Sequence, residues 1–139
     1  MPKLQITSGW LAAGIFGAVL CVTALPATGN AAVSEDAFLV RTTGDLVELC
    51  EATPADTFYT AAINFCHGFS SGVYRVLEEE NMAAARRMFC MPDPAPHRND
   101  AIAAFVKWVD ANPDQKAQPP ADGIASYLTK NFPCAHGKR

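Results

Sequence analysis

Four of the five cysteines, three histidines and one Gly-x-Ser-x-Gly run are the residues of this chain whose types and spacing could do chemistry. Cys50, Cys66, Cys90 and Cys134 form an even set, enough for two disulfides or for a metal site. Two histidines stand close to them, in Cys66-His67 and Cys134-Ala135-His136. Gly68-Phe69-Ser70-Ser71-Gly72 has the form of a nucleophile elbow, the strained turn that presents a catalytic serine. Arg86, Arg87, His97 and Arg98 flank a proline-rich stretch and make a small cationic region, suited to docking an acidic partner.

The catalytic and metal readings weaken once spacing is considered. No Cys-x-x-Cys or His-x-x-x-His pair is present, so neither a structural metal site, thiol exchange nor haem attachment is expected. A nucleophile elbow needs a strand before it and a large sheet around it. Here the serines fall inside a helical apolar pattern. Gly68 and Gly72 are then read as small residues four apart that let another helix approach. Two glycines inside a soluble helix cost ~2 kcal/mol relative to alanine, which argues for such a packing role. Glu78, Glu79 and Glu80 are consecutive and form no acid–base pair on one helix face. The chain reads as a non-enzyme without a cofactor.

Residues 1–31 read as a secretory signal peptide. Lys3 gives a weak positive start, Trp10 to Leu25 is apolar, and small residues precede a cut after Ala31 or Ala32. The apolar core is shorter than the ~20 residues of a bilayer span, so cleavage rather than a retained anchor is expected. Cys21 falls inside it and is discarded with it. The leader holds Lys3 and no acid, so its removal moves the formal charge from −3 to −4. No basic stretch interleaves with aromatics, which excludes a nucleic-acid surface. Residues 32–134 have room for one core, and residues 135–139 read as a flexible tail.

The elements that must position the cysteines read as helices. Residues 32–41 are a loose lead-in. Thr42 and Asp45 form an approximate capping box for a short first helix carrying Leu46, Val47, Leu49 and Cys50. Thr53 and Pro54 start a second helix to about residue 80, with Phe58, Ala62, Phe65, Phe69, Gly72 and Val76 as its buried face. A short helix is expected within 82–89, and three prolines keep 90–96 non-helical. Asn99 caps a third helix to about 111, burying Ile102, Phe105, Val106 and Val109. A polar loop over 113–120 leads through Pro119-Pro120 into a fourth helix, ended by Pro133. Trp108 is placed in a second layer of the core. No period-two run is present. The fold class is all-α, a small disulfide-stapled bundle of four to five helices.

Four cysteines allow three pairings. If the third and fourth helices form an antiparallel hairpin, Cys90 before it and Cys134 after it come together. Cys50–Cys66 then remains, with the first helix crossing the second. The alternative, Cys50–Cys134 with Cys66–Cys90, stays open at this stage.

The ordered motifs also resemble a known family. Leu46-Val47-Glu48-Leu49-Cys50, then Phe65-Cys66-His67-Gly68 with Gly72-Val73, then Phe89-Cys90-Met91-Pro92, Asn112-Pro113 and Phe132-Pro133-Cys134 follow its pattern. Over residues 44–134 the chain is similar to the Rap/Tai family of type VI secretion amidase-immunity proteins. His67 departs from the family's usual aliphatic residue. The resemblance implies a periplasmic helical protein, often a homodimer, that blocks a peptidoglycan cysteine amidase. The stiff exposed loops Asp93–Asp100 and Asp114–Asp122 are the expected contact surfaces, with His97, Arg98, Lys116 and Gln118 as partner-binding residues. A small periplasmic disulfide-bonded chaperone is the alternative from a different class, and a hydrolase using Ser70 is a third.

Overall fold

The computed structural model describes residues 32–134. The leader and tail expected from the sequence lie outside the described residues. The first long helix, α1 (Thr43–Cys50), starts at a complete capping box. Thr42 accepts from the Asp45 backbone N–H, and the Asp45 carboxylate accepts from the backbone N–H of Thr42. Its apolar side is fully used: Leu46, Val47 and Leu49 are buried. The preceding residues are not a loose lead-in. Glu35–Leu39 is a 3-10 helix capped by Ser34, and it buries Ala37 against α1. It closes on Val40, a β-branched residue in the left-handed region at φ 42°, a strained backbone held by the Ala37 carbonyl and by packing on both sides.

Helix α2 (Tyr59–Ala83) starts later and ends later than the sequence suggests. Thr53 does not cap it. Asp56 instead folds back and accepts from the Thr53 backbone N–H at 2.5 Å and from its hydroxyl at 2.9 Å. That local turn, which also accepts from the Val33 backbone, uses up the capping chemistry. The inward stripe of α2 is also rotated from the expected one. Ala62, Cys66, Phe69, Val73 and Leu77 pack inward, whereas Phe65 and Val76 are 37% and 57% exposed. The reason is covalent: Cys66 must face Cys50, and that bridge sets the rotation of the whole helix.

No helix follows in 84–89. A buried side chain, Asn81, closes this stretch instead. Its amide donates to the Phe89 carbonyl at 2.9 Å, and its oxygen accepts from the backbone N–H of Met88 and of Phe89. Helix α3 (Arg98–Ala111) has His97 rather than Asn99 at its N-cap position. A 3-10 helix, Pro113–Ala117, occupies the expected loop, and α4 (Pro120–Asn131) starts at the proline pair.

Two packed clusters result. Val33, Ala37, Leu49, Ala62 and Cys66 form the smaller one, beside the Cys50–Cys66 bridge. The larger cluster joins Leu46 and Val47 of α1 to Phe105 and Val109 of α3 and to Ile124 and Leu128 of α4. Tyr127 sits at its centre with Phe105, Trp108 and Phe132 around it, ring centroids 5.7–5.9 Å apart. Trp108 is thus half-buried against the core. Cys90 is bonded to Cys134, and the Cys90 backbone N–H donates to Phe132 at 2.8 Å. By loop-closure entropy the bridges over 16 and 44 residues contribute about 3 and 4 kcal/mol. The described residues contain four α-helices and no strand, so the domain is an all-α disulfide-stapled bundle.

Candidate functional site

Helix α2 is fastened near each end, by Cys66 at one and by Asn81 at the other. Between these points Phe69, Val73 and Leu77 pack on the core, while a neighbouring strip of the helix borders α3 and α4 across open space. A groove of about 520 Å³ opens there. Ser70, Ser71, Tyr74 and Glu78 of α2 line one wall, and Met91 and Pro96 also border the groove. Arg98 and Ile102 of α3 form the opposite rim, above a floor that includes Phe105, Ile124, Leu128 and Phe132.

The α2 wall carries a polar network. The Tyr74 hydroxyl donates to one Glu78 oxygen at 2.8 Å, and Arg75 donates to the other at 2.7 Å. Burial, then the hydrogen bond to the Glu78 carboxylate, pushes the Tyr74 hydroxyl up to about 12. The bond from Tyr74, then the bond from Arg75, holds the Glu78 carboxyl below its ordinary value. Glu78 lies inside α2, which continues to Ala83, and its carboxylate is partnered. Its i, i+4 and i, i+3 spacing to Tyr74 and Arg75 was the available signal for this.

Ser70 sits mid-helix, not at a strand-to-helix turn, and its Oγ is buried without a hydrogen-bond partner. No base is bonded to it, so the nucleophile-elbow geometry is missing. Gly68 and Gly72 are not packing residues either. A Cβ at either would meet nothing within 4 Å among the described residues. The glycine that does allow close approach is Gly123, unmarked by any motif. A Cβ there would collide with the Thr43 Oγ1 and lie 2.8 Å from its Cγ2.

The expected contact residues fall into two groups. His97 and Arg98 are exposed at the start of α3, with Arg98 on the groove rim. Arg98 Nε donates to Asn99 at 3.4 Å, and the guanidinium forms no ion pair with any described residue. Lys116 and Gln118 lie past the other end of α3, about 20 Å away along a helix of 14 residues. Lys116 is paired with Asp110 at 2.8 Å. The Gln118 carbonyl accepts from the Thr43 backbone N–H at 2.7 Å and from its hydroxyl at 3.0 Å. These four residues do not form one surface.

Among the described residues the four cysteines, Cys50, Cys66, Cys90 and Cys134, are all held in disulfides, so none of them is free to ligate a metal. Among the described residues no three His, Cys, Asp or Glu side chains gather into a metal cluster. His67 lies half-buried on α2, and burial, then the charge of Arg98, holds its imidazole below the ordinary value. No described helix is long and apolar enough to cross a membrane.

The site thus offers binding chemistry: an apolar trough, an exposed proline-stiffened loop and an unpaired guanidinium between them. Comparison with known proteins points the same way. A family model described as Rap1a immunity proteins matches residues 42–134, more than half of the chain. No curated protein and no solved structure matches it.

Proposed function

The chain belongs to the Rap1a immunity protein family, and from that premise we propose that it neutralises a peptidoglycan amidase by occluding its active-site cleft. An immunity protein acts on a secreted effector by binding it, and the two disulfides suit an exported protein in an oxidising compartment. The periplasm is the compartment where such an amidase would meet its substrate. Export would use residues 1–31 as leader.

The observation that carries the occlusion mechanism is the exposed run Pro92 to Asp100. Pro92, Pro94 and Pro96 stiffen it, and the Cys90–Cys134 bridge anchors its base. A loop already ordered loses little entropy when it enters a cleft. His97 and Arg98 stand at its end and provide the positive contact. Lys116 and Gln118 belong to a separate region and contribute less. A second copy of the chain completes the assembly in this reading, as the family resemblance implies.

The test starts with the oxidised protein as bait for the source organism's periplasmic and secreted fractions. A stoichiometric cysteine amidase, identified by mass and then inhibited on purified peptidoglycan, is the expected outcome. Arg98→Glu should weaken that inhibition at least about tenfold, a change worth ~1.4 kcal/mol. Lys116→Glu, at the far end of α3, should do less. An amidase that binds but stays fully active would overturn occlusion, and a captured effector of another chemical class would overturn the amidase.

A further inference from the structure

We propose that the groove between α2 and the α3–α4 pair receives a segment of the effector in which a bulky apolar side chain stands next to a carboxylate. The inference rests on the immunity reading and adds a second contact to it. The loop would enter the effector, and the effector would enter the groove.

Two features of the groove select that chemistry. Its floor is apolar, with Phe105, Ile124, Leu128 and Phe132 at the base. An aromatic or long aliphatic side chain seated there would remove apolar surface from water on both partners. Its rim holds two arginines with different standing. Arg75 is neutralised by Glu78 at 2.7 Å, whereas Arg98 forms no ion pair with any described residue. The uncompensated charge at the mouth is therefore positive, and a guanidinium fork matches a carboxylate. A few polar groups converging on an apolar trough of this size is the usual form of a binding pocket.

The placement of the charge orients the segment. Arg98 lines the groove from α3, whereas Ser70 and Ser71 line it from α2. The carboxylate would sit on the α3 side while the neighbouring apolar side chain enters between the helices. Basic segments are disfavoured by Arg98 and purely polar ones by the floor.

The experiment uses the exported, oxidised protein, nitrogen-15 labelled, with three blocked tetrapeptides: Gly-Phe-Glu-Gly, Gly-Phe-Lys-Gly and Gly-Gly-Glu-Gly. Gly-Phe-Glu-Gly should give saturable amide shifts centred on Ser70, Tyr74, Arg98 and Phe105. The other two should bind at least roughly fivefold more weakly, a difference of the size one charge-assisted contact supplies. Arg98→Glu should invert the preference between Glu and Lys. Ser71→Phe, which fills the trough from the α2 wall, should remove binding while leaving the loop intact. Equal responses to all three peptides, or shifts scattered outside the groove, would overturn the proposal. So would shifts at the same amides on raising protein concentration alone, since a second copy would then be the occupant. The two readings fail separately. Undiminished amidase inhibition by Ser71→Phe would sink the groove contact and leave immunity standing. Selective peptide binding by a protein that inhibits no amidase would do the reverse.

Discussion

At the α1–α4 crossing Gly123 is buried beneath Thr43, and a Cβ would collide with the threonine hydroxyl; along the outer ridge of α2 a Cβ at Gly68 or Gly72 would meet nothing within 4 Å. The first region is sealed. Thr43 is fully buried, and its hydroxyl lies 3.0 Å and 3.2 Å from the Gln118 and Pro119 carbonyls. That ties the start of α1 to the connection between α3 and α4. The second region is open, with Phe65 and Val76 exposed on the same helix. The contrast separates a frame from a presenting face. The crossing holds the bundle closed, and the middle of α2 is left to form one wall of the groove.

The hardest test of that contrast is Gly123→Ala. The added methyl must displace Thr43, either by overpacking or by breaking its hydrogen bonds. A loss of about 2–4 kcal/mol is expected, read from urea unfolding of the oxidised protein. Thr43→Ala combined with Gly123→Ala should lose less than the two single losses added together, because the clashing atoms are gone. A neutral Gly123→Ala would mean that α1 and α4 do not seat this closely.

The opposite sign is expected on α2. Gly68→Ala and Gly72→Ala should each raise stability by up to ~1 kcal/mol, the helix-propensity gain with no clash to offset it. A loss at either position would show that something covers this ridge in solution, and a difference in sedimentation between variant and parent would identify it as a second copy.

The sequence was legible where chemistry is local. The Thr42–Asp45 capping box, the Pro119-Pro120 start of α4 and the Asn112-Pro113 end of α3 depend on residues within four positions of one another. Long-range contacts were not legible. The rotation of α2 depends on where Cys50 lies, so half of the expected apolar stripe faces water. The 3-10 helix Glu35–Leu39 exists because α1 and α2 offer it a surface. Asn81 gives no sequence sign of its clasp on Phe89, eight residues away. The groove was hidden for the same reason: its walls come from three helices and a loop. Arg98 was singled out from charge, but its partition from Lys116 needed the length of α3.

The smallest expected effect concerns His67, which links the open helix to the groove mouth. It sits one residue before Gly68 on the open helix and feels the charge of Arg98 at the groove mouth. Burial first, and Arg98 second, lower its pKa from the ordinary 6.5. The unfolded chain therefore takes up this proton at a higher pH than the folded one. Stability should be unaffected by His67 well above pH 6.5, and should fall as the pH drops through 6.5, until the folded imidazole also protonates. His67→Gln should flatten that segment of the curve, read as the urea midpoint at pH 7.5 against pH 5.5. Arg98→Gln should flatten it only in part, because the burial contribution stays. A carboxylate bound at Arg98 would have the same partial effect as Arg98→Gln. If Gly-Phe-Glu-Gly binds at the groove mouth, His67 should titrate at a higher pH in its presence, and Gly-Phe-Lys-Gly should not produce that rise. An imidazole titration indifferent to all three peptides would separate His67 from the groove and leave it a property of α2 alone.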